Sequence, residues 1–260
     1  MAKPALLEAC DELDRRLLRL RDSKGRVADE IHEIRKLGKR LRGALMIAGE
    51  PKPCIRWVGV IGSMLGAPRD AVVREQTWRL LGVDPKTEDS IEAVIGALLS
   101  QQARSAARRP PPEVVAWGRA AAGQVRARIE GVSPDELTRR CGQGARQLMR
   151  RLRKRLKRAV SEAEDRDFHA ARKASKAWLG GITLLEPELK VAAGEALKEL
   201  GEVLGQENDL EVFGEWLNDN GFSPATAPRV WKRLPKVQSK ARRTSLQLIR
   251  REVLPALKKA

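Results

Sequence analysis

A chain of 260 residues with 51 Lys and Arg against 34 Asp and Glu carries a formal net charge of +17. That balance favours a polyanionic partner, whether nucleic acid, polyphosphate or an acidic membrane, and says nothing about fold. Six Trp, three Phe and no Tyr supply poorly any platform on which single-stranded bases would stack. Three distant cysteines, Cys10, Cys54 and Cys141, form no Cys-x-x-Cys, which argues against a zinc or disulfide frame and suits a reducing compartment. No apolar run approaches the roughly eighteen residues of a membrane span, and the N-terminus lacks a long apolar core, so a soluble cytoplasmic chain without membrane contact is expected.

In chain order, Leu6, Leu13, Leu17 and Leu20 recur at helical spacing and predict a helix from Pro4 to about Asp22, broken by Ser23-Lys24-Gly25. A second helix follows to about Ala48 and is stopped by Gly49-Glu50-Pro51. Trp57, Val60, Ile61, Met64 and Leu65 continue the pattern. Gly66-Ala67-Pro68 then turns into a helix on Val72, Val73, Leu80 and Leu81, with Pro68 in the first turn where proline is tolerated. Ile91, Val94, Ile95, Leu98 and Leu99 predict a helix reaching toward Arg108. Pro110-Pro111-Pro112 is a stiff spacer and the best boundary in the chain.

Beyond it, an Ala-rich helix runs through Val114, Trp117, Val125 and Ile129, and Ser133 with Glu136 marks the capped start of the next. From Arg146 to Arg158 that helix holds eight Lys/Arg and no acid, around Leu148, Leu152 and Leu156 at four-residue steps. So many uncompensated cations exceed what solubility requires and point to an anion that offsets their repulsion. A helix to about Leu185 follows, then one on Leu189, Ala193, Leu197, Leu200 and Leu204, and another on Leu210, Phe213, Trp216 and Leu217 ended by Asn220-Gly221. The last segment starts near Ser223-Pro224, bends at Leu234-Pro235 and is basic again, with Arg243 among its cations. Almost nothing alternates as a strand would, so the class is all-α.

Two of these helices share a pattern. At 100° per residue His32, Arg35, Lys36, Lys39 and Arg42 fall on one side of the second helix, while Ile34, Leu37, Leu41 and Leu45 fall on the other. His169, Arg172, Lys173 and Lys176 repeat the cationic side at a constant offset of 137 residues, and these are the only two histidines in the chain. A second match follows each: Leu65-Gly66-Ala67-Pro68-Arg69-Asp70 and Leu204-Gly205-Gln206-Glu207-Asn208-Asp209, offset by 139 residues. Self-similarity of this length suggests an internal duplication, packed as two related helical bundles.

These residues resemble the CHAD domain, an α-helical family named for its histidines. The likeness rests on His32-x-x-Arg35-Lys36-x-x-Lys39-Arg40-Leu41-Arg42, on His169-x-x-Arg172-Lys173-x-x-Lys176, on the two Leu-Gly-x-x-(Arg/Asn)-Asp turns and on the Arg-rich helix before His169. It covers about residues 5 to 255. It implies two antiparallel four-helix bundles related by a pseudo-twofold axis, one from residues 1–110 and one from 111–260, together forming one domain. It also implies a shared basic cleft that binds inorganic polyphosphate, and association with polyphosphate granules. One departure is that Lys176 is followed by Ala177-Trp178-Leu179 where the family continues with Lys/Arg-Leu-Arg, so the second site is expected to hold fewer phosphates.

Polyphosphate has no base to recognise, so a receptor needs spaced cations and donors and little else. Arg35 and Arg172 can fork two phosphate oxygens, whereas Lys36, Lys39, Lys173 and Lys176 act as mobile point charges. His32 and His169 donate a hydrogen bond when neutral and add charge when protonated. With Arg40, Arg42, Arg146, Arg150, Arg153, Lys154, Lys157 and Arg243 these are the expected polyphosphate contacts. Asp70 and Asp209 are read as orienting or neutralising a neighbouring cation. Glu186-Pro187-Glu188-Leu189-Lys190 spells the Glu-x-Glu-x-Lys of tunnel-type triphosphatases, but that motif belongs on a β-strand and here Pro187 is expected to open a helix, so the match is set aside. No phosphate-cradling loop, zinc pair or nucleophile elbow occurs. The expectation is a binding module without catalytic chemistry, cofactor or metal, with a nucleic-acid binder or a polyphosphate-processing enzyme as alternatives.

Overall fold

The leucine and isoleucine stripes become the buried faces of helices. The computed structural model describes residues 2–22, 27–106, 109–188 and 193–259, and no strand occurs among them. The order is α1 (Ala2–Asp22), α2 (Val27–Ile47), α3 (Lys52–Met64), α4 (Gly66–Leu81), α5 (Ile91–Ala106), α6 (Pro112–Glu130), α7 (Pro134–Ser161), α8 (Asp165–Leu185), α9 (Gly194–Asp219), α10 (Pro228–Leu248), a π-helical turn (Ile249–Val253) and α11 (Leu254–Lys259). The expected break at Ser23-Lys24-Gly25, the helix end near Arg108 and the helical Leu189 lie outside the described residues.

Local chemistry sets the ends. Pro112, Pro134 and Pro228 each open a helix in a first turn, where the missing N–H costs nothing. Ser133 caps α7, its Oγ accepting from Glu136 N at 3.3 Å. The reciprocal half of a capping box is absent, because the Glu136 carboxylate is taken by Arg140. Gly82 and Gly221 end their helices at φ 59° and 79°, a backbone that glycine adopts without strain.

Two expectations are corrected. Only the first Leu-Gly pair makes a break: Leu65 separates α3 from α4, whereas Leu204 and Gly205 lie within the single helix α9, which also merges the two helices expected there. Pro68 has no N–H for the Met64 carbonyl and its ring would crowd that carbonyl, while its counterpart at the 139-residue offset, Glu207, continues the helix. Pro187 opens no helix but sits in a turn ahead of α9. Pro235, where a bend is expected, lies inside α10, which continues to Leu248.

Two hydrophobic cores result, and neither follows the halves 1–110 and 111–260. The larger joins α1, α2, α3, α6, α7, α8, the first half of α9 and the C-terminal elements through residues such as Leu13, Ile34, Leu41, Val125, Leu152 and Phe168. The smaller joins α4, α5, the second half of α9 and α10 through Leu81, Ile95, Leu99, Phe213 and Val230. Helices from either side of Pro110–Pro112 interlock in both, with α1 on α6, α2 on α8 and α4 on α9. Trp78, Phe213, Trp216 and Phe222 form a chain of rings in the smaller core, at centroid spacings of 6.4, 5.7 and 6.0 Å. The Glu50 carboxylate, fully buried after α2, receives Arg128 from α6 at 3.1 Å and Arg140 from α7 at 3.4 Å, so its buried charge is paired twice. Cys10 and Cys54 are buried, and burial pushes their thiols up to about 12 and about 11, which keeps them inert.

Candidate functional site

The leucine side of α2 and the Phe168, Ala171 and Trp178 side of α8 enter the large core, which leaves both cationic sides facing away from it. The two helices cross where Gly43 meets Gly181, close enough that a Cβ on Gly181 would lie 2.5 Å from the Gly43 carbonyl carbon. This crossing brings helices that start more than a hundred residues apart in sequence side by side. Their rails, with α4 and α9, enclose a cavity of about 1560 Å³.

Of the predicted contacts, His32, Arg35, Lys36, Lys39, Arg40, Arg172 and Lys176 line this cavity. His169 and Arg243 line an adjoining cavity of about 440 Å³ between α8, α9 and α10, with Arg172 and Asn208 common to both. A third, of about 270 Å³ beside the start of α2, shares His32, Arg69 and Gln76 with the large one. Arg42 is not brought in: its guanidinium lies over Gly59 of α3. Lys173 is exposed and lines none of the three cavities. Arg146, Arg150, Arg153, Lys154 and Lys157 also line none of them, since Leu148, Leu152 and Leu156 turn the opposite face of α7 into the core.

Residues that sequence reasoning passed over complete the wall: Arg69 and Arg74 from α4, Lys198 and Asn208 from α9, and Ser175. Arg69 and Asn208 occupy the variable position just before Asp in the repeated Leu-Gly motif, so a signal for them was present. Nine Lys/Arg face four carboxylates, Asp70, Glu195, Glu202 and Asp209, and no Phe or Trp lines the space.

Arg35, Arg172 and Arg40 are each anchored. Arg35 donates through Nη1 to the Gly62 carbonyl of α3 and lies 3.8 Å from Asp70. Arg172 Nη1 donates to Asn208 Oδ1 at 3.2 Å, and His169 Nδ1 lies 3.0 Å from the same oxygen. With that amide oxygen accepting, the His169 proton resides on Nδ1. Arg40 Nη2 donates to Thr183 O at 3.3 Å, tying α2 to α8. Among the described residues, Arg40 Nε, Arg172 Nε and Ser175 Oγ are buried without a hydrogen-bond partner.

The amines are held under electrostatic stress. Burial, with Arg172 and Lys39 nearby, lowers the Lys176 amine to about 8, Asp209 opposing. Burial and then Arg35, Arg172 and Arg69 lower Lys39. Burial and Arg69 also lower His32. Asp209 is itself pushed up by burial against the pull of Arg172, Lys176, Arg69 and Lys39. Enclosed like charges without enough counter-charge are what an entering polyanion would relieve.

The family model described as the CHAD domain matches residues 4–218. The chain belongs to the CHAD domain family. The match ends within α9, but likeness of structure extends further: the crystal structure of the CHAD domain from the plant Ricinus communis is similar over 100% of this chain and 91% of its own, with a TM-score of 0.61 and 20% sequence identity. At that identity the likeness establishes the all-α CHAD fold. Among curated proteins, none matches the chain significantly. In this CHAD domain no helix among the described residues is long and apolar enough to cross a membrane. Among the described residues of this CHAD domain, no three His, Cys, Asp or Glu side chains gather as a metal would need.

Proposed function

We propose that this CHAD domain binds inorganic polyphosphate in the cavity between α2, α4, α8 and α9, without chemistry of its own, in the cytoplasm and at polyphosphate granules. The observation that carries the reading is the opening of both rails onto one cavity, where burial and then Arg172 and Lys39 depress Lys176, and burial, Arg35 and Arg172 depress Lys39. A thin chain of phosphates supplies repeated anionic oxygens to spaced cations and asks for nothing else. Family membership supports the same ligand. Nucleic acid is a poorer occupant of this space, because no Phe or Trp on which bases could stack lines it. Turnover is not supported either, since Asp70 sits by Arg35 and Asp209 among four cations, which suits neither carboxylate to hold a metal.

Titration of labelled long-chain polyphosphate into wild type and into Lys39→Ala/Lys176→Ala tests the site. Charge-assisted contacts are worth about 1.5–3 kcal/mol each, so the double variant should bind at least about tenfold more weakly. Unchanged affinity in the double variant would falsify the assignment. Incubation with magnesium and polyphosphate should release no orthophosphate; steady release would replace the binding module with an enzyme.

A further inference from the structure

The cations of α7 need a different explanation, because they lie outside the cavity. Arg139, Arg146, Arg150, Lys154 and Lys157 are all exposed. At 100° per residue they fall within one narrow stripe of the helix, at successive steps of three, four or seven residues. From Leu137 to the end of α7 there is no carboxylate in the sequence, and among the described residues the α7 cations found in ion pairs are Arg140 and Arg158, not these five. The stripe is stiff: Ser133 caps the helix, and Leu148, Leu152 and Leu156 fix its opposite face to the core. At 1.5 Å per residue it is about 27 Å long.

We infer that the outer face of α7 is a second polyanion surface, separate from the cavity, and that its partner is the phosphate backbone of double-stranded nucleic acid. A flexible polyphosphate on an exposed face outside the cavities would lose chain entropy without gaining enclosure. A duplex is already straight over this length, with a persistence length of about 50 nm and one charge per about 1.7 Å, so a rigid line of cations meets a rigid line of anions. A membrane surface fits less well, because a helix that lies in lipid inserts apolar side chains, and the exposed neighbours of the stripe are Gln143, Gln147 and Arg151. The contacts are to phosphates, so binding is independent of sequence. Polyphosphate in the cavity and a duplex on α7 are then held by one chain at two places.

A fluorescent 20-base-pair duplex, titrated at several salt concentrations, provides the test. Five phosphate contacts give a slope of log affinity on log salt of about −4.5, and Arg146→Gln/Arg150→Gln/Lys154→Gln should reduce it to about −2. The same variant should keep its helix content and its wild-type affinity for polyphosphate, whereas Lys39→Ala/Lys176→Ala should keep its affinity for the duplex. Duplex binding that ignores the α7 substitutions, or that disappears with the cavity substitutions, overturns the inference. So does a protein that binds vesicles of anionic lipid through α7 but no duplex.

Discussion

Gly43 of α2 and Gly181 of α8 meet backbone to backbone: a Cβ on Gly43 would lie 2.8 Å from Gly181 N, and one on Gly181 would lie 2.8 Å from Ala44 N. The obstacle on both sides is main chain, which cannot rotate away as a side chain can. The two rails converge on one cavity because their helices cross in main-chain contact at this pair.

Gly181→Ala is therefore expected to cost about 2–3 kcal/mol through overpacking, a fall of about 2–4 °C in thermal midpoint per kcal/mol for a chain of this size. It should also weaken polyphosphate binding by moving α8 relative to α2. Gly123→Ala is the control: nothing lies within 4 Å of the added carbon, and the gain in helix propensity should raise stability by about 0.5–1 kcal/mol. Thermal unfolding of both variants measures the contrast, and equal midpoints would mean that the crossing is not tight.

Arg35 and Lys39 belong to one rail but should respond differently. The Arg35 side chain is 18% exposed and satisfies the Gly62 carbonyl, so Arg35→Ala leaves a carbonyl unpaired at a cost of about 1–3 kcal/mol besides weakening the ligand. Lys39 carries an amine already depressed by burial and by Arg35, and Lys39→Ala should weaken binding without lowering the thermal midpoint. Unfolding curves and polyphosphate titrations on the two single variants separate these effects. A midpoint unmoved by Arg35→Ala would remove its anchoring role.

The helices and the two rails were legible because the 3.6-residue period records which face is buried. Which way an exposed face points in the assembled molecule is not recorded there. The α7 cations show this: their density signals an anion, but only the docking of Leu148, Leu152 and Leu156 turns them away from the cavity. Arg42 shows it on a finer scale. It lies at one edge of the α2 arc, so α3 captures it over Gly59, while Arg40 at the other edge reaches Thr183 of α8. The second Leu-Gly motif was misread as a turn because similarity of letters hid the residue that decides, Pro68 in one copy and Glu207 in the other.

Binding should weaken as pH rises. The free Lys176 amine lies at about 8, and a bound polyanion raises it, so above pH 8 binding takes up a proton and affinity falls by at most about tenfold per pH unit. His32, held below its ordinary value by burial and Arg69, works in the same direction at lower pH. The unliganded fold responds oppositely. Because Lys176 lies below its ordinary 10.5, stability should be gained as pH rises from about 8 toward that value. Lys176→Met should stabilise the free protein by about 1 kcal/mol while weakening the ligand. A polyphosphate titration at graded pH reads the slope, and Lys176→Arg should abolish the step above pH 8; an unchanged step would place the proton elsewhere.

Chain length should matter, because the three cavities adjoin. His32 and Arg69 belong to both the small and the large cavity, and Arg172 and Asn208 to both the large cavity and the one that holds His169 and Arg243. A short polyphosphate can occupy only part of this path. A longer one engages further cations as an intramolecular step, with the advantage of effective concentration, until the path is filled. Affinity per chain should therefore climb with length and then level off. Arg243→Ala removes a cation from the far end only, so it should leave short-chain affinity intact and lower the plateau. Adding Arg172→Ala, at the junction, should erase most of the climb, because a chain in the large cavity then loses its link to the next. Titrations with short and long polyphosphate at one salt concentration decide it. Equal losses for both lengths in Arg243→Ala would mean that the cavities bind separate chains.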